Sequence, residues 1–232
     1  MQPDKPAPFD AAKSQIRQAN EALILAAAER VFAGAGFGGA TMAAIAEAAG
    51  LPKANLHYYF GSKQELYRTV LAETLKDWLE PTHVITFDAD PKSAIEAYIR
   101  AKMALSTQRP HASRVFSNEL LHGAPVIKTL LATDLRDLVL AKADVISKWV
   151  RDGRMAAVDP VHLFFTIWAA TQTYADFEVQ VCAVLGHTEL TPEDHFRATD
   201  HVVSLILRGC GLPQVHSMQK LCGGSTCTFL GL

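Results

Sequence analysis

The chain has 232 residues, 49% of them apolar, and 22 Lys and Arg against 24 Asp and Glu give a formal charge of -2. Such a chain holds enough apolar material to bury a sizeable core in one large domain or two small ones. Its near-neutral balance excludes a global positive field that would pull it onto nucleic acid or an anionic membrane, so any such contact must be local.

The first 17 residues, rich in Pro and Ala, are expected to form a disordered arm to which Lys13 and Arg17 lend positive charge. They lack the apolar core of a signal sequence, and no later run reads as a membrane span of about 18 residues, so the expected setting is cytoplasmic. Residues 20–35 follow as an amphipathic helix with Leu23, Ala27, Val31 and Phe32 facing inward and with Gly34 and Gly36 ending it. Thr41 then caps the short helix MAAIAEAA. Ala46, Gly50 and Leu56 fall where a helix-turn-helix needs a small residue at the crossing, a glycine at the turn and an aliphatic pin. A structural helical hairpin with no nucleic-acid role fits that spacing equally well.

In the next helix, about 52–59, placing Leu56 and Phe60 in the core turns Ala54 and Tyr58 outward, with Lys53, Asn55 and His57 on the flanks. Ser62 and Glu65 fit a capping box that opens a helix over 62–80. Asp90-Pro91, Asp159-Pro160 and Thr191-Pro192 each set a capping oxygen before a proline at the first helical position. Behind these caps the 3.6-residue period marks helices over 92–108, 125–152, 160–181 and 192–208. Strand signals are nearly absent, so the fold class is all-α. Cys182 and Cys210 lie in apolar helical patterns and Cys222 and Cys227 in a Gly/Ser/Thr-rich tail, which is no disulfide framework.

The outward face of 52–59 carries the chemistry of DNA recognition. Lys53 and Asn55 suit base edges, Tyr58 and His57 suit phosphate oxygens, and Lys63 adds a cation in the first turn of a helix whose free N–H groups already favour an anion. Thr41 and Ala54 complete the candidate DNA-contacting set. Few cations stand nearby, so a monomer would bind weakly. A two-fold dimer doubles the phosphate contacts and reads a palindrome with half-sites about 34–36 Å apart.

The stretch FGGATMAAIAEAAGLPKANLHYYFGSKQELY resembles the N-terminal DNA-binding domain of the TetR family of transcriptional regulators. RPHASRVFSNELLHGAP and HLFFTIWAATQTYADF resemble the pyrimidine-utilisation regulators within that family. The resemblance implies a helix-turn-helix domain over 18–66, a helical ligand-binding and dimerisation domain over 67–212, and a tail over 213–232 that is expected to be disordered. It further implies a homodimer formed by the last two long helices, and release from operator DNA when a small molecule binds. His57 departs from the tyrosine that often stands there in the family. The helices over 160–181 and 192–208 are more apolar than one buried stripe requires, which agrees with a four-helix interface.

Trp168 and Gln172 are i and i+4 on one helix face, and Tyr174 and Asp176 stand on neighbouring faces. A carboxamide matches the alternating C=O and N–H edge of a pyrimidine such as uracil, and an indole offers its ring a platform. Trp78 is a second candidate platform, at the end of the helix leading from the DNA head. An alternative keeps the DNA-binding head but gives the C-terminal domain a protein partner in place of a small molecule. Enzymatic readings fare worse. His187, His195 and His201 with Asp194 and Asp200 lack metal-ligand spacing, and GAGFGGA follows a helix where a phosphate loop would follow a strand. No metal, cofactor or catalytic residue is expected.

Overall fold

The computed structural model describes residues 8–212, with side chains from residue 15 onward. Among the described residues every regular element is a helix. Helix α1 spans Pro8–Gly39, so the arm expected over 1–17 is helical from Pro8, while residues 1–7 and the tail from 213 lie outside the described residues. Its buried stripe is Ile24, Ala27, Ala28 and Phe32, all at most 1% exposed. Leu23, expected inward, is 52% exposed, because it lies one residue, or 100°, away from the stripe that Ile24 sets. Contrary to the expectation that no run reads as a membrane span, Gln15–Gly39 is long and apolar enough to cross a membrane by length and composition. Here that stripe forms the core of the head.

Gly36 leaves helical geometry at φ 66°, ψ 173°. Thr41 Oγ1 then accepts from the Ala44 N–H at 3.0 Å and starts α2, Met42–Ala49. Gly50 takes the left-handed conformation, φ 66° and ψ 29°, that lets its N–H reach back to the Ala46 carbonyl, and α3 follows over Lys53–Phe60. Ala46 and Leu56 are buried as the spacing requires. Helix α4 spans Lys63–Leu79, with Ser62 Oγ accepting from the Glu65 N–H at 3.2 Å. The reciprocal half of the expected capping box is replaced, because the Ser62 N–H turns to the Phe60 carbonyl. The complete box forms instead between Thr191 and Asp194.

A 3₁₀ turn, Glu80–Val84, leads to α5 over Pro91–Gln108, α6 over Pro110–Leu121 and the short α7, Lys128–Leu130. A π-helical turn, Leu131–Leu135, joins α7 to α8, Arg136–Arg151. Helices α9, Pro160–Asp176, α10, Glu178–Leu185, and α11, Pro192–Gly209, complete the chain. Asp90, Asp159 and Thr191 cap α5, α9 and α11 as expected. Helix α6 escaped the reading because its N-cap, Arg109, offers no side-chain acceptor. The helix expected over 160–181 breaks at Phe177, where Arg114 Nε donates to the Ala175 carbonyl at 3.0 Å and competes with the N–H that would continue the ladder.

Two hydrophobic cores result. One joins α5, α8, α9 and α11 through residues such as Ile95, Tyr98, Ile146, Trp149, Phe164 and Val203. The other fills the space among α1 to α4 but also takes in Val115 and Phe116 of α6 and Ala124 and Ile127 of the following loop. Packing therefore joins α4, one face of α6 and that loop to the head, whereas the expected boundary fell at residue 66.

Candidate functional site

Helix α3 presents Lys53, Ala54, His57 and Tyr58 to solvent, while Leu56 and Phe60 hold it to the core. Tyr58 is 75% exposed, and its ring meets Tyr59 edge-on at 5.2 Å. Tyr59 is half-buried, with its hydroxyl accepting from Asn20 Nδ2 at 3.1 Å. Asn55 is half-buried on the flank. No side chain caps the start of α3, and the Asn55 N–H turns to the Pro52 carbonyl at 2.9 Å, so the N–H groups of Lys53 and Ala54 are the ones left open toward solvent or an anion. His57 Nδ1 lies 3.0 Å from the Gly61 carbonyl and donates to it, which leaves Nε2 outward; donation from Nε2 to phosphate requires the protonated ring. Lys63 departs from expectation. Its Nζ donates to the carbonyls of Phe37 at 2.7 Å and Ala40 at 2.9 Å and sits 4.5 Å from the Phe37 ring. Two of its three N–H bonds thus close the end of α1, and only the third is left for a phosphate.

Where the two cores meet, a cavity of about 120 Å³ opens between α4, α5, α6, the π turn and α9. Trp78, Trp168 and Gln172, chosen from the sequence, all line it. The Trp168 indole N–H donates to the Tyr98 hydroxyl at 2.7 Å, which leaves the ring rather than the N–H available to line the cavity. Trp78 packs on Phe116, with centroids 4.7 Å apart. The Gln172 carboxamide lines the cavity and makes no side-chain hydrogen bond to another described residue. The larger groove between α4 and α8, about 590 Å³, is open and mixed in charge, and shares Leu75 and Leu79 with the cavity as its outer wall.

Sequence reasoning missed Lys102. This residue is 1% exposed, lines the cavity, and holds its Nζ 4.1 Å from the centroid of Trp78. Burial pushes its pKa from 10.5 down to about 7, while the negative charge of Asp176 opposes the fall. A signal existed: Ala94, Ile95, Tyr98, Ile99, Met103 and Ser106 form the buried stripe of α5, and Lys102 stands inside it.

Tyr174 does not reach the cavity. Two residues past Gln172 it points about 200° away and lines a separate groove among α9, α10 and α11 with Gln180, Arg197 and His201. Asp176 is held by the Ser113 and Ser117 hydroxyls and serves to fasten α6 to α9. Among the described residues no group of three His, Cys, Asp or Glu is placed to hold a metal. Across α9 to α11, the large apolar side chains of Phe165, Phe177, Val179, Val184, Phe196 and Leu205 are between 49% and 86% exposed.

The geometry agrees with comparison to known proteins. Residues 24–70 match the model described as bacterial regulatory proteins, tetR family, and residues 71–213 match that of the YcdC-like protein C-terminal region. The chain belongs to the TetR family. It is 44% identical over 198 residues to the HTH-type transcriptional regulator RutR of Escherichia coli strain K12, covering 85% of this chain and 93% of that one. Among solved structures, it resembles a tetR-family regulatory protein from Rhodococcus RHA1 at a TM-score of 0.65 and 20% identity, covering 84% of this chain and 98% of that one. It also resembles AibR in complex with isovaleryl coenzyme A and operator DNA, at 0.58 and 18%, covering 80% and 97%. The chain is thus a DNA-binding transcriptional regulator, with α2 and α3 as its helix-turn-helix.

Proposed function

We propose that this regulator acts in the cytoplasm as a repressor, binding a palindromic operator as a homodimer and leaving it when a pyrimidine such as uracil enters the cavity. In this reading Lys53, Ala54, Asn55, His57 and Tyr58 meet the major groove and its phosphates. Thr41 and the third N–H of Lys63 add contacts at the edge. The exposed apolar face of α9 and α11 pairs with its copy and sets the spacing of the two heads.

The observation that carries the effector is the composition and size of the cavity. An apolar cavity of about 150 Å³ holds a benzene ring, and a volume of about 120 Å³ matches one small ring better than a ring carrying a sugar or phosphate. Trp78 and Trp168 offer it flat faces. Gln172 offers one acceptor and two donors, and Lys102 offers an ammonium to a ring carbonyl. If release lowers operator affinity about a hundredfold, the effector must favour one state by about 2.7 kcal/mol, which two such polar contacts and a stacked ring supply.

Thermal melts against free bases, reduced pyrimidines, nucleosides and purines test this. A shift upward for pyrimidine bases alone is expected. A shift for nucleosides but not bases removes the size argument, and no shift for any of them favours the reading in which the C-terminal domain binds a protein.

A further inference from the structure

Helix α6 lines the cavity with Phe116 and Leu120, and the π turn that follows its loop adds Leu131 and Leu135. Between Phe116 and Leu120, on the face turned from the cavity toward the head, lies Glu119, only 4% exposed. Its Oε1 accepts from the Val126 N–H at 2.6 Å and its Oε2 accepts from the Tyr67 hydroxyl at 3.2 Å. The Glu119 carbonyl also accepts from the Ala124 N–H at 2.8 Å. Ala124 itself is buried at φ 56°, a left-handed conformation that a residue with a Cβ keeps only when its surroundings hold it there.

Tyr67 lies at the opposite end of this link. It is 5% exposed on α4, and its ring packs on Phe32 and Phe37 with centroids 4.9 Å away in each case. Phe37 is the residue whose carbonyl and ring are held by Lys63, directly ahead of the helix-turn-helix. Burial and the neighbouring Glu119 charge raise the Tyr67 pKa, which keeps its hydroxyl a donor. A carboxylate this buried is rare unless its bonds serve a specific arrangement. Leucine or methionine would fill the same stripe position on α6, beside Ala112, Val115 and Phe116.

We propose that Glu119 and Tyr67 are positioning residues for the regulatory response: one carboxylate ties the loop between α6 and the cavity-lining π turn to the aromatic cluster that packs under the DNA-binding head. The inference rests on the reading of α3 as a DNA-binding surface. It needs no knowledge of the effector, because coupling is reciprocal and DNA on the head must then be felt at the cavity.

The test uses the full chain and a duplex that the parent protein selects from a random pool. Hydrogen exchange is followed over residues 122–135 in the parent, Tyr67→Phe and Glu119→Met, each free and bound to that duplex. In the parent, DNA is expected to change exchange in this segment by at least about threefold. Both variants are expected to bind the duplex within about threefold of the parent and to leave the segment unaltered. Equal changes in parent and variants, or no change in the parent, overturn the coupling role. Loss of DNA binding by both variants also overturns it, since the pair would then merely hold the fold together. If the parent selects no duplex at all, the regulator reading itself falls, and the inference with it.

Discussion

Replacing Lys102 by methionine removes the buried ammonium but keeps the unbranched stem that passes Trp78. In the ligand-free protein, burial lowers the Lys102 pKa from 10.5 to about 7. Between those values the unfolded chain holds a proton that the folded chain has lost, so stability rises with pH across this window. Below it both states are protonated, and the folded protein bears the full cost of a charge without an acceptor. Each pH unit inside the window is worth about 1.4 kcal/mol. From pH 8 to 9.5 the parent should therefore gain about 2 kcal/mol that the variant does not, or roughly 4–8 °C in Tm for a chain of this size. Calorimetric melts at fixed ionic strength and protein concentration give the difference, and other titrating groups cancel between the two proteins. Parallel pH curves for parent and Lys102→Met would refute the reasoning. A ring that accepts a hydrogen bond from the ammonium should flatten the slope of the parent, because it holds the charge in the folded state.

The remaining predictions concern the other sites. Gln172→Ala should keep operator affinity but weaken pyrimidine binding by about 1–3 kcal/mol, read by titration calorimetry; unchanged induction would remove Gln172 from the site. Lys53→Ala should lower the slope of log K against log salt by about 1 per head without altering Tm. Lys63→Ala should instead destabilise the head as well, because the carbonyls of Phe37 and Ala40 lose their donor; salt titrations paired with melts separate the two. Leu205→Asp places a charge on an apolar face whose leucine is 59% exposed in the single chain. Sedimentation should show a monomer and operator affinity should fall by at least about a hundredfold, whereas a dimer of unchanged affinity would move the interface elsewhere.

The sequence by itself determined the helical fold and the exposed face of α3, because both rest on contacts between residues close in the chain. Thr41, Asp90, Asp159 and Thr191 each cap a helix a few residues downstream. Gly50 needs only its own backbone angles, and Leu56 and Phe60 fix the outward turn of Tyr58 by helix period alone. The same local logic put Trp168 and Gln172 on one face.

Only the tertiary structure decided what those faces meet. Lys102 and Glu119 are ionisable residues inside the apolar stripes of α5 and α6, and their chemistry is set by Trp78 and Tyr67 on α4, distant in sequence. Lys63, read as a cation for phosphate, spends two donors on carbonyls at and just beyond the end of α1 that no local pattern brings near it. Helix periodicity states which way a side chain points. Desolvation and hydrogen-bond partners depend on which other helix lies opposite, and that is settled when two cores close around one small cavity.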